Sequence, residues 1–149
     1  IAFGLENGKR KDQDEIVRHH LKLIQLEDKG DRYPAQLSGG QVQRVGIARA
    51  LAPEPEVIFM DEPYGALDRH TREKMQQWLL NVWSAEHKTI IFVTHDIDEA
   101  IYLSDRVLVL NSGKVAAEHH IPFDRPRDEE IKFSSEFIRL KKEIYDRMN

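Results

Sequence analysis

Leu37-Ser38-Gly39-Gly40-Gln41 places a hydroxyl and two residues without side chains at the first turn of an expected helix. The N–H groups of such a turn have no intrahelical acceptor and carry the positive end of the helix dipole, so they suit an anion. Glycine lets the backbone approach phosphate oxygens and Ser38 adds a donor, which makes a γ-phosphate a fitting guest. The same residues also make an ordinary helix cap. Asp61 and Glu62 follow an apolar run, at the strand end where open α/β sheets bind ligands. There Asp61 could hold Mg²⁺ while Glu62 accepts a proton from, or orients, a water attacking phosphorus. A solvated acidic loop is the plainer alternative. Asp68 reads on its own as the N-cap of the next helix, and His95 ends a second apolar run, where it could hydrogen-bond a γ-phosphate or simply cap the helix begun by Asp96. His19, His20, His70, His87, His119 and His120 lack partners at metal-ligand spacing and read as structural or solvated.

These residues need a scaffold, and hydrophobic periodicity outlines one. Ile16, Val17, His20, Leu21, Leu23 and Ile24 recur at helical spacing, predicting a helix over about 12–26. Val42, Val45, Ala48 and Leu51 predict a second over about 40–52, ended by Pro53 and Pro55. Val57-Ile58-Phe59-Met60 and Thr89-Ile90-Ile91-Phe92-Val93-Thr94 are continuous apolar runs, expected as strands buried on both faces of a parallel sheet. Between them Met75, Leu79, Val82 and Trp83 share a helical face, and Trp78 and Trp83 are expected in helix packing. A short helix over 97–103 and the run Val107-Leu108-Val109-Leu110 extend the alternation, which favours an open parallel sheet with right-handed crossovers. Asn111-Ser112-Gly113 then turns the chain into a hairpin partner over 114–118. After a proline-broken linker, Phe137, Leu140, Ile144 and Met148 line one face of a last helix over about 134–148.

Composition narrows the possible functions. In 149 residues, 22 Lys and Arg against 26 Asp and Glu give a net charge of -4, so no global cationic field favours nucleic acid or acidic lipid. With no cysteine there is no disulfide framework, thiolate zinc site or cysteine nucleophile. No apolar run approaches the roughly 20 residues that cross a bilayer. The opening Ile1-Ala2-Phe3-Gly4-Leu5 has no start methionine or cap, which leads us to expect that the chain begins within a domain.

Together the motifs are far more specific than any one of them. LSGGQVQRVGIARAL over 37–51, VIFMDEP over 57–63, GALD over 65–68 and VTHD over 93–96 stand in the order and spacing of ABC-transporter ATPases, which the chain resembles over about 1–114. The tail around 122–148 resembles that of the nitrate/sulfonate/taurine importer branch. The resemblance implies that Ser38, Gly39, Gly40 and Gln41 are the signature segment and Asp61 the Walker B magnesium residue. It further implies Glu62 as catalytic carboxylate, Asp68 as D-loop aspartate and His95 as switch histidine. One departure is large: no GxxxxGK[ST] phosphate loop is present. Gly4-Leu5-Glu6-Asn7-Gly8-Lys9 has one residue too few between its glycines, with Arg10 in place of Ser or Thr. The family's phosphate loop, adenine-stacking aromatic and Q-loop would precede this segment.

The expected fold is therefore α/β, a partial P-loop NTPase domain with a mostly parallel sheet, a helical signature subdomain and a C-terminal helix. We expect the ATPase part over 1–120, with the helical subdomain over about 1–52 and the Walker B to switch-histidine core over 53–120, followed by a linker and amphipathic helix over 121–149. By resemblance the complete protein binds ATP and Mg²⁺ and hydrolyses ATP between two ATPase subunits. It would thereby energise import of a small solute through transmembrane permease subunits, at the inner face of the cell membrane. The 149 residues alone are expected to be inactive. Two other readings remain at this stage: a DNA-repair or chromosome-type ATPase, disfavoured by the charge and the short 30–37 loop, and a non-catalytic half-domain acting as an interaction module.

Overall fold

A computed structural model describes residues 1, 2, 5 and 10–148, with the side chains of 10 and 11 left out. The glycine-lysine stretch over 4–9 thus lies, apart from Leu5, outside the described residues. The chain divides into two compact units, 1–91 and 92–149.

In the first unit, α1 (Arg10–Leu23) packs on α2 (Gly39–Leu51), which packs on α3 (Arg69–Glu86). Their apolar faces meet as the periodicity requires: Ile24, Leu26, Ile47, Ala48, Leu51, Met75, Trp78 and Leu79 are buried. Two polar side chains tie the end of α1 to its neighbours. Arg44 Nη1 donates to the Ile24 carbonyl at 3.0 Å and Trp78 Nε1 to that of Leu23 at 3.4 Å. Strand β1 (Val57–Asp61) pairs with β2 (Thr89–Val93) in a two-stranded parallel sheet, with α3 as the crossover such a pair requires. The division between the units falls within β2.

Both strands depart from the expected burial. Ile58 and Met60 of β1 are buried, but Val57 is exposed and Phe59 keeps 74% of its surface in solvent. In β2, Ile91 and Val93 are exposed. Burial on both faces needs a layer on each, and among the described residues the outward side chains of these strands meet none.

The second unit holds α4 (Ile97–Leu103), β3 (Arg106–Asn111), β4 (Lys114–His120) and α5 (Ser135–Met148). Among the described residues strand β3 pairs with β4 and not with β1 or β2; the pairing is antiparallel, Arg106 opposite His120 and Asn111 opposite Lys114. Ser112 and Gly113 both have positive φ (51° and 74°), the conformation a two-residue hairpin needs to match strand twist. Helix α5 lays Phe137, Leu140 and Ile144 against Ile101, Val107, Val109 and Ile121, while Met148 at its end is exposed. The linker before α5 is anchored by Arg127, 3% exposed, whose guanidinium donates to the carbonyls of Ile101, Tyr102, Ser104 and Phe123. Three of these acceptors lie at the C-terminal end of α4, where orphan carbonyls collect.

Candidate functional site

Ser38 is extended (φ -69°, ψ 161°) and N-caps α2 in a reciprocal box. The Gln41 N–H donates to Ser38 Oγ at 3.3 Å, and the Ser38 N–H to Gln41 Oε1 at 2.9 Å. The cap and the anion-binding reading therefore coexist: Gln41 secures the turn, while Ser38 and Gly39 stay exposed at the positive end of a 13-residue helix.

Asp68 performs the same task on α3, its Oδ1 accepting from the Thr71 N–H at 3.1 Å. Hydrogen bonding by Thr71 holds its carboxyl below the usual value of 3.8. The two capped turns lie side by side. A Cβ on Gly39 would come 3.5 Å from Leu67 Cδ2, and one on Gly40 only 3.0 Å from Thr71 Cγ2. Gly40 thus has a packing duty that its sequence context did not signal: it lets the start of α2 approach the first turn of α3. Beside this junction a cleft of about 370 Å³ is lined by Ser38, Gly40 and Gln41 together with the basic Arg44, His70 and Lys74. Hydrogen-bond donors and basic side chains lining one cleft suit a phosphate-bearing ligand.

Asp61 and Glu62 are exposed at the tip of β1, joined to the α3 cap through the turn over 62–67. The Gly65 N–H returns to the Glu62 carbonyl at 3.2 Å and the Leu67 N–H to that of Tyr64 at 3.0 Å. Glu62 itself has φ 46°, a left-handed backbone costing a non-glycine residue roughly 1–2 kcal/mol. A carboxylate at a strand tip is a hard oxygen donor, and Mg²⁺ completed by phosphate oxygens and water needs only one or two of these. No group of three His, Asp or Glu among the described residues forms a ready-made metal cage.

His95 lies in the second unit, exposed in the turn between β2 and α4. Asp96 caps α4, its Oδ1 accepting from the N–H groups of Asp98 and Glu99 at 2.9 and 3.2 Å. No helix of the described residues is long and apolar enough to cross a membrane.

Comparison with known proteins agrees with the motif order. A family profile described as ABC transporter matches residues 4–65. An uncharacterized ABC transporter ATP-binding protein of Methanocaldococcus jannaschii is 47% identical over 148 residues, 97% of this chain and 54% of that protein. The nitrate import ATP-binding protein NrtD of Synechococcus elongatus is 45% identical over 139 residues, 91% of this chain and 51% of the relative. Among solved structures, an ABC transporter described as metal-chelate type, in an inward-facing conformation, superposes with a TM-score of 0.69 at 28% identity. That likeness covers 77% of this chain and 45% of the other. The chain spans about half the length of the curated relatives it matches.

Proposed function

We propose that the chain, which is similar to ATP-binding proteins of ABC transporters, supplies half of the parts of an ATP-hydrolysing site that energises import of a small solute. The observation that carries this reading is the junction of the Ser38–Gly40 turn with the Asp68-capped turn beside a basic cleft. Ser38 and the N–H groups of Gly39 and Gly40 bind the γ-phosphate, Gln41 secures that turn, and Asp68 sets the adjoining one. Asp61 would hold magnesium, whose positive charge would offset the negative charge of the phosphates. Glu62 takes a proton from the attacking water. His95 is assigned to hydrogen-bonding the γ-phosphate from its place in the VTHD motif. The domain organisation read from the motifs, 1–120 as ATPase and 121–149 as tail, belongs to the same proposal.

A second copy of the ATPase and membrane permease subunits are the partners this reading requires, with the protein peripheral at the inner membrane face. A small anion is the solute class favoured by the likeness to a nitrate import protein. Since the 149 residues hold no GxxxxGK[ST] cradle for the β- and γ-phosphates, the chain by itself does not turn over ATP. The test compares the purified chain with a chimera in which the phosphate-loop half of an ABC ATPase is joined ahead of Ile1. Mg²⁺-dependent turnover by the chimera alone supports the proposal. Steady turnover by the chain itself, abolished by Glu62→Gln, refutes the division of parts, and a folded, ATP-binding chimera without turnover refutes the function.

A further inference from the structure

We infer that Glu99 is a positioning residue that holds the His95 turn through the hydroxyl of Thr94. This rests on the assignment of His95 to the ATP site and extends it to two residues with no role so far. Thr94 Oγ1 accepts the Asp96 N–H at 3.0 Å and donates its own proton to Glu99 Oε2 at 2.8 Å. A carboxylate oxygen accepts, so the hydroxyl proton is directed to Glu99 while the hydroxyl oxygen takes the Asp96 N–H, and the bonds run one way from backbone to Thr94 to Glu99. His95 is the residue enclosed by this closure, with the bonded groups of Thr94 and Asp96 on either side. Its own side chain is exposed. Asp96 joins the turn to α4 a second time by capping Asp98 and Glu99.

Glu99 is only 5% exposed. A buried carboxylate is costly unless its oxygens are hydrogen-bonded, so an apolar residue would serve a helix face better if packing were the only demand. An acceptor at this place fixes the backbone from which the histidine projects, which apolar packing does not do.

The experiment is NMR on the 149-residue chain, reading the three-bond couplings that report the His95 φ angle and the hydrogen exchange of the Asp96 amide. Thr94→Val and Glu99→Ala each remove the link, whereas Thr94→Ser and Glu99→Gln keep a hydroxyl and an acceptor. The expected result is about tenfold faster Asp96 exchange and conformationally averaged His95 backbone couplings in the first pair, with wild-type values in the second. Should Glu99→Ala not fold, Thr94→Val breaks the same bond and leaves the buried carboxylate in place. Unchanged His95 couplings in Thr94→Val overturn the inference, as does averaging in Thr94→Ser equal to that in Thr94→Val. Failure here is distinct from failure of the ATP assignment. A His95→Ala chimera with undiminished turnover would defeat the assignment and leave the Glu99 link standing.

Discussion

Gly40 sits directly against Thr71: a Cβ added to the glycine would lie 3.0 Å from the threonine Cγ2, on the residue whose N–H is capped by Asp68. Thr71 is β-branched and stiff at χ1, so it yields poorly. We predict that Gly40→Ala destabilises the chain by about 1 kcal/mol in urea unfolding, at the low end for overpacking because alanine also favours the helix. Gly39→Ala, 3.5 Å from the flexible Leu67 side chain, stays near wild type. Thr71→Ser, which removes the obstructing methyl, restores the double variant.

Ser38 has two duties that substitution separates. Ser38→Ala removes the acceptor for the Gln41 N–H and costs about 1 kcal/mol of stability. Ser38→Asp keeps the cap and the stability but sets a negative charge where a γ-phosphate would sit. We therefore expect Ser38→Asp to lower ATP affinity of the phosphate-loop chimera more than Ser38→Ala does, measured by calorimetry. The reverse order would separate Ser38 from the nucleotide.

Asp68 gives a pH signature. Its carboxyl is lowered from 3.8, first by the Thr71 side chain, so its contribution is complete above that ordinary value and is lost as pH falls through the lowered folded one. Asp68→Asn should flatten the stability profile below about pH 4 and leave the slope near neutrality unchanged. Parallel acid limbs for the two proteins would contradict this.

Arg127 anchors the linker of the second unit to the end of α4. Burial, and then Arg125, lower its pKa, yet the guanidinium is held by four carbonyls and the Asp105 carboxylate. Arg127→Met leaves those acceptors buried without a donor and should cost roughly 3 kcal/mol. Arg127→Lys recovers only part, because an ammonium cannot reproduce the planar fork. Hydrogen exchange in α4 reports both.

Much of this was legible in the sequence because period and punctuation agreed. Ser38 before a three-residue apolar repeat, Asp68 before another and Ser112-Gly113 between two strands each placed an element end within a residue or two. The burial of β1 was not legible. Val57-Ile58-Phe59-Met60 is apolar throughout, so its composition cannot reveal that Phe59 meets no layer among the described residues. The pairing of β3 was half legible: the turn chemistry announced the hairpin, but an apolar run carries no mark of which sheet it joins. The Ser-Gly-Gly turn marks Gly40 as a phosphate contact but not its approach to Thr71, because a contact 31 positions away leaves no local trace. Glu99 is equally silent in the sequence, since only burial distinguishes it from a solvated helix charge.

Glu62 offers the most direct test of the central claim that this chain carries the water-activating carboxylate of an ABC ATPase. In the chimera bearing a phosphate loop, Glu62→Gln should bind ATP as tightly as the parent and lose at least about a hundredfold in turnover, as expected for removal of a general base. Glu62→Gly, which suits the left-handed φ of 46°, should fold as stably and be equally slow. ATP hydrolysis by the folded Glu62→Gln chimera at the parent rate would contradict the account.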